Sequence, residues 1–229
     1  MADPLAYPRR TPLRRLLEKN RASWLSLGDA AVADTVGDAA VAATLGLADL
    51  SPLPRLGFKG SGTIEAARQR GIVLEATPNR AFRQPDGGLC LVLAKSEIIL
   101  LSNLRGDGEK LAALQSAWRI EDEERTYPMP RRDSHAWLAV TGRQAPAMFA
   151  KLCAIDLRLD RFPDLTIAQT SIAKMSAIVT RADTGATPTF HLLADSAAAL
   201  YFCDCLRDAA EEFGGALVGL KALQDLESP

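Results

Sequence analysis

The chain has 229 residues, 48% of them apolar, enough to bury a core in one large domain or two small ones. Its 27 Lys and Arg balance 28 Asp and Glu to a net charge of -1, so no overall field draws it to nucleic acid or to an anionic bilayer. No segment is apolar enough to span a membrane, no signal peptide follows the N-terminal arginines, and the four cysteines lack CxxC spacing; the sequence predicts a cytoplasmic protein with reduced, buried thiols.

Residues 1–39 read as a basic arm and lead-in; over residues 9–21, Arg9, Arg10, Arg14, Arg15, Lys19 and Arg21 meet only Glu18 as an opposing charge. A solvated tail or surface helix is expected there. The alanine-rich stretch Ala30 to Ala48 fits neither helical nor strand periodicity and is left unassigned. A first α+β half is expected over 40–118. It holds a strand ending in glycine, Arg55 to Gly60, then a helix from Ser61 to Arg70 stopped at Gly71, a hairpin of Leu89 to Ala94 with Glu97 to Ser102, and a helix from Gly106 to Trp118.

Residues 119–134, with Glu121-Asp122-Glu123-Glu124 and Pro128, Pro130, Arg131 and Arg132, read as a charged linker unable to form a core. A second α+β half, 135–229, repeats the first. Its strand Trp137 to Gly142 runs into a helix over Gln144 to Ala154 with Pro146 in the opening turn. Strands Ile172 to Arg181 and Thr189 to Ala194 follow, then a helix from Asp195-Ser196 to Gly214-Gly215 and a short strand, Leu217 to Leu220. The fold class expected is α+β, two related half-domains of β-α-β-β-α-β type.

Catalytic and metal signals are sparse. In Gly57-Phe58-Lys59-Gly60-Ser61-Gly62-Thr63 the lysine precedes the last two glycines, the reverse of a phosphate-binding P-loop, so a tight strand-to-helix turn is expected. His135 and His191 lie beside strand residues and read as core or strand-end histidines. Cys203 and Cys205, two apart on a helix, differ by about 200° around its axis and cannot readily share a metal ion. Trp24, Trp118 and Trp137 read as packing residues. No catalytic residue and no metal site is assigned.

Several segments together carry a family resemblance: Ala48-Asp49-Leu50-Ser51 running into Arg55 to Gly60, the Pro78-Asn79-Arg80 turn, Leu93 to Leu101, Leu138 to Gly142, Ile155-Asp156-Leu157 with Arg161-Phe162-Pro163, and Phe190 to Ser196. In order and spacing the chain resembles the γ subunit of heterotetrameric sarcosine oxidase, a relative of the folate-binding part of the glycine-cleavage T-protein. The resemblance implies a T-protein-like fold and a structural subunit without a redox cofactor of its own. Its partners would be alpha, beta and delta type subunits holding FAD, FMN, NAD and tetrahydrofolate in an oxidase that demethylates an N-methyl amino acid.

Two further readings stay open: a folate-dependent aminomethyltransferase, and a stand-alone folate-binding protein. If folate binds, Arg55, Lys59, Asn79 and Arg80 are the candidates to hold it. T-proteins look to carry an acidic pair just after a glycine-rich turn; here Asp86-Gly87-Gly88 runs into Leu89-Cys90, with no carboxylate to assist at the folate nitrogen.

Overall fold

The computed structural model describes residues 2–118 and 124–227. In chain order the chain forms α1 (Arg14–Lys19), β1 (Trp24–Leu27), β2 (Ala30–Ala33), α2 (Ala42–Leu45), β3 (Gly46–Asp49), β4 (Arg55–Lys59), α3 (Thr63–Gln69), β5 (Arg80–Arg83), β6 (Leu89–Ala94), β7 (Glu97–Leu101), α4 (Glu109–Ala117) and β8 (Tyr127–Met129). It continues with α5 (Arg131–Ser134), β9 (His135–Thr141), α6 (Ala145–Phe149), β10 (Ile167–Ile172), β11 (Met175–Arg181), β12 (Thr189–Asp195), α7 (Ala199–Glu211), β13 (Ala216–Leu217) and α8 (Leu220–Glu227).

Two mainly antiparallel sheets result, ordered β5-β6-β7-β4-β8 and β10-β11-β12-β9-β3-β13, with β1-β2 as a separate hairpin. Strand alternation stacks them face to face. Leu89, Leu91, Leu93, Ile99 and Leu101 of the first sheet share one buried cluster with Trp137, Ala139 and Leu193 of the second. Their neighbours point the other way: Cys90, Val92, Ile98 and Leu100 pack under α3 and α4, while Leu138, Val140, Phe190 and Leu192 pack under α6 and α7. The layers therefore run helices, sheet, sheet, helices. A one-residue slip in any of these strands would exchange its inner and outer faces, which is what fixes the register.

The repeat is visible in the backbone. Asn79 donates to Val92 O at 2.7 Å and its own carbonyl accepts from Ile167, while Leu165 donates to Arg181 O at 2.8 Å and its carbonyl accepts from Ala81. Asn79 and Leu165 both sit at positive φ, 59° and 62°, so each half turns into its edge strand by the same left-handed step. These reciprocal bonds tie the β5 edge to the β10 edge. Gly60 and Gly142, also at positive φ, end β4 and β9 in matching fashion, donating to Ser96 O and Pro188 O.

The α+β class holds, and each copy carries one strand more than expected: β5 and β10 turn the predicted pair between helices into three. The unassigned Ala30 to Ala48 stretch is strand, short helix and strand in succession. Its last piece, β3, enters the second sheet, where Leu47 lies opposite Val140 and opposite Leu217. In the linker, residues 119–123, which include all of the charge run but Glu124, lie outside the described residues, whereas Tyr127–Met129 adds β8 to the edge of the first sheet against β4. The predicted strand at Leu217 to Leu220 is shorter, Ala216–Leu217, and α8 begins where it was to end. Among the described residues no helix is long and apolar enough to cross a membrane.

Candidate functional site

Arg55, at the start of β4, is buried with 4% of its surface exposed. Its guanidinium donates to the carbonyls of Arg131 at 2.9 Å, Ser51 at 2.9 Å and Leu53 at 3.2 Å, and to those of Arg132 and His135. All five of its N–H groups are thereby spent inside the chain. Arg9 of the N-terminal arm lies beside it and donates to Pro52 O and Ser51 O, each at 2.9 Å, to Arg132 O, and to Asp133 at 2.6 Å. The arm is thus folded onto its own chain at Arg9 instead of standing free. Desolvation, then repulsion from Arg9, lowers the Arg55 pKa to about 10. Beneath them Asp49 is buried, accepting from the Thr11 hydroxyl and the Ser51 amide, and burial pushes its carboxyl up.

The other folate candidates lie elsewhere. Lys59 is exposed and paired with Glu97 at 3.0 Å, and Glu97 also accepts from Arg131. Asn79 accepts from Gln169 Nε2 at 3.0 Å, and Arg80 donates to the Thr166 hydroxyl at 3.1 Å; both belong to the corner joining the sheets. Arg80 sits three strands from Phe58 on one row, through Val92 and Ile98, roughly 14 Å at about 4.8 Å per strand. The four side chains do not converge on a common space, and Arg55 has no donor left for a pterin or glutamate.

The glycine-rich turn holds the chain itself. A Cβ on Gly60 would lie 2.0 Å from Arg125 O, on Gly62 1.7 Å from Glu124 O, and on Gly57 2.6 Å from the Arg131 side chain. The glycines let the 124–131 segment lie across the end of β4, where an anion would sit in a phosphate loop. Leu89 and Cys90, which follow the Asp86-Gly87-Gly88 turn, are buried on opposite faces of the first sheet.

A cavity of about 320 Å³ opens between the sheets near Leu89, Leu104, Trp137 and His191, with Arg83 and Asp183 at its mouth. Trp137 Nε1–H donates to His191 Nδ1 at 3.1 Å, which places the proton of the neutral ring on Nε2. Burial, with Arg83 adding to it, lowers the His191 pKa to about 4 and keeps the ring uncharged. His135 is the strand-end histidine expected, its pKa lowered by burial and by Arg131 and Arg55. Burial pushes the Cys90 and Cys203 thiols up to about 12, which makes them inert packing groups. Among the described residues no group of three or more His, Cys, Asp or Glu is placed to hold a metal ion.

No family model and no curated protein matches the chain. Solved structures do. A chain of the heterotetrameric sarcosine oxidase from Corynebacterium sp. U-96 aligns with 20% identity and a TM-score of 0.67, over 91% of this chain and 97% of that one. The glycine cleavage system aminomethyltransferase T from Bartonella henselae aligns with 18% identity and a TM-score of 0.72, over 96% of this chain. The fold is T-protein-like. The chain spans 62% of the length of that aminomethyltransferase. The T-protein-like fold accounts for the two stacked sheets and their outer helices, whereas the arginine clamp and the arm folded over it were not foreseen. Their sequence signal was the run of arginines at residues 9–15, which composition alone assigns to solvent.

Proposed function

We propose that the chain is a non-catalytic, γ-type subunit of a cytoplasmic, heteromeric, flavin-dependent sarcosine oxidase, acting in oxidative demethylation of an N-methyl amino acid linked to tetrahydrofolate. Its partners are alpha, beta and delta type subunits, which carry FAD, FMN, NAD and tetrahydrofolate. The observation that carries this reading is the correspondence with a chain of a heterotetrameric sarcosine oxidase over nearly the full length of both. Two chemical features support it. The buried titratable groups Asp49 and His191 are bonded within the chain, and Leu89-Cys90 stands where a T-protein acid would assist at folate. Co-expression with the alpha, beta and delta type subunits should yield a yellow complex containing this chain in stoichiometric amount. Recovery of the chain alone while the other three assemble without it would overturn the proposal.

The likeness to an aminomethyltransferase favours a second reading, a folate-binding protein or transferase. Titration with tetrahydrofolate, followed by the tryptophan fluorescence of the chain, to which Trp137 beside the inter-sheet cavity contributes, separates the two. A saturable change in the isolated chain favours folate; none removes it.

A further inference from the structure

The N-terminal arm does more than cover Arg55. Together with the start of β9 it walls a cleft of about 270 Å³ whose lining carries four arginines, Arg9, Arg10, Arg55 and Arg132, against the single carboxylate of Asp133. That excess stands out in a chain whose net charge is -1. We propose that this cleft binds a small organic carboxylate, its anionic end among Arg9, Arg10, Arg132 and His135 and its body against Pro12 and Pro52.

Hydrogen bonding and charge have different solutions here. Arg55 and Arg9 share the neutral carbonyls of Ser51 and Arg132, which satisfy N–H groups and leave the two positive charges side by side. Burying charge without an opposite charge is unfavourable. Asp133 pairs with Arg9 but its side chain is 74% exposed, and Asp29 is taken by Arg132. Asp49 below accepts from Thr11 and Ser51 and answers part of the Arg55 charge, but no carboxylate pairs with Arg10 among the described residues. The cleft is left with positive charge that an incoming anion would answer.

Donors remain for it. Arg9 Nη1 uses one of its two hydrogens on Pro52 O. Arg10 has one hydrogen bond among the described residues, to Leu5 O at 3.2 Å. His135 Nδ1–H donates to the Ser134 hydroxyl at 2.8 Å, since that hydroxyl gives its own proton to Pro130 O, so Nε2 becomes a donor when the ring takes up a second proton, the form an anion beside it favours. Pro12, Ala30, Pro52 and Ala197 give the same cleft an apolar side, which a carboxylate with a short hydrocarbon body uses and a bare phosphate does not. The site is independent of the oxidase reading, so either can fail alone.

Butyrate is a suitable probe, with chloride and phosphate at equal ionic strength beside it. At ten times its dissociation constant butyrate should raise Tm by roughly 3–6 °C over chloride. The double variant Arg10→Gln/Arg132→Gln, which alters two exposed side chains, should bind at least about tenfold more weakly. A second readout needs no variant. The two histidines are separable by NMR; butyrate should raise the titration midpoint of His135, which burial and then Arg131 and Arg55 hold down against Asp195 and Glu97, and leave that of His191 unmoved. Three results would each overturn the site: stabilisation by butyrate no greater than by chloride or phosphate, a double variant that binds as wild type does, or an unmoved His135.

Discussion

Replacing Arg55 by Met removes the guanidinium while keeping most of the side-chain volume, which isolates the clamp from simple packing. Ser51 O and Arg132 O would keep Arg9 as donor, but the carbonyls of Leu53, Arg131 and His135 would each lose Arg55. A hydrogen bond to a charged group contributes about 1.5–3 kcal/mol, and relief of the repulsion from Arg9 offsets part of the loss. The expected destabilisation is about 3–5 kcal/mol, or roughly 6–20 °C in Tm for a chain of this size. Urea unfolding followed by circular dichroism measures it. Arg55→Lys should fall between, since an ammonium offers three donors from one point and cannot reach carbonyls on both sides. If Arg55→Met unfolds within about 1 kcal/mol of wild type, water is serving those carbonyls and the clamp is not a stability element.

Gly62 has φ -92°, a conformation open to any residue, so Gly62→Ala tests the clash with Glu124 O alone; a loss of about 1–3 kcal/mol with faster proteolysis in 124–130 is expected, and wild-type stability would contradict the seating of that segment. Asn79, at φ 59°, should tolerate Gly better than Ala by about 1 kcal/mol in chemical denaturation, and the reverse order would speak against the left-handed corner. His191 titrates near 6.5 when unfolded and at about 4 when folded, so its contribution is full above pH 6.5 and is lost as pH falls towards 4, about 3 kcal/mol in all. Asp49, raised on folding, tilts stability the other way, gaining as pH falls towards its ordinary value of 3.8. Stability measured from pH 7 to 4 should therefore fall less steeply in His191→Gln than in wild type, and parallel curves would refute the assignment.

Much of the architecture was legible locally. Gly60 and Gly142 mark strand ends because their φ angles exclude side chains, and Leu89 to Leu101 reads as a hairpin because its apolar runs are broken only at Lys95-Ser96-Glu97. The helix expected from Asp195-Ser196 to Gly214-Gly215 is α7, with Phe202, Leu206 and Ala209 buried along one face as helical spacing requires. What failed had a physical cause in each case. The hairpin turn between β10 and β11 is Ala173-Lys174, two residues at φ 51° and 64° where glycine or asparagine is the usual signal, so the strand reading Ile172 to Arg181 ran through the turn and missed β10. β5 is four residues long with arginine at both ends, too short for a periodic signal. Leu220, Leu223 and Leu226 carried the spacing of α8, but the strand reading of Leu217 to Leu220 took its first turn. The arginine cleft brings residues 9, 55 and 132 together, and no local pattern encodes such a meeting.

β3 gives the molecule a seam that sequence order alone would not place. The first sheet has all its strands once residue 129 is synthesised, but the second needs residues 46–49 from the front of the chain between residues 135–141 and 216–217. During translation that early strand must wait, unpaired, until more than half of the polypeptide has emerged, a delay that slows folding and exposes an adhesive edge. A gene cut at the middle would leave the C-terminal product with a slot one strand wide. Two intact chains could fill each other's slot by exchanging β3, which makes this segment the natural place to look for a swapped dimer at high concentration.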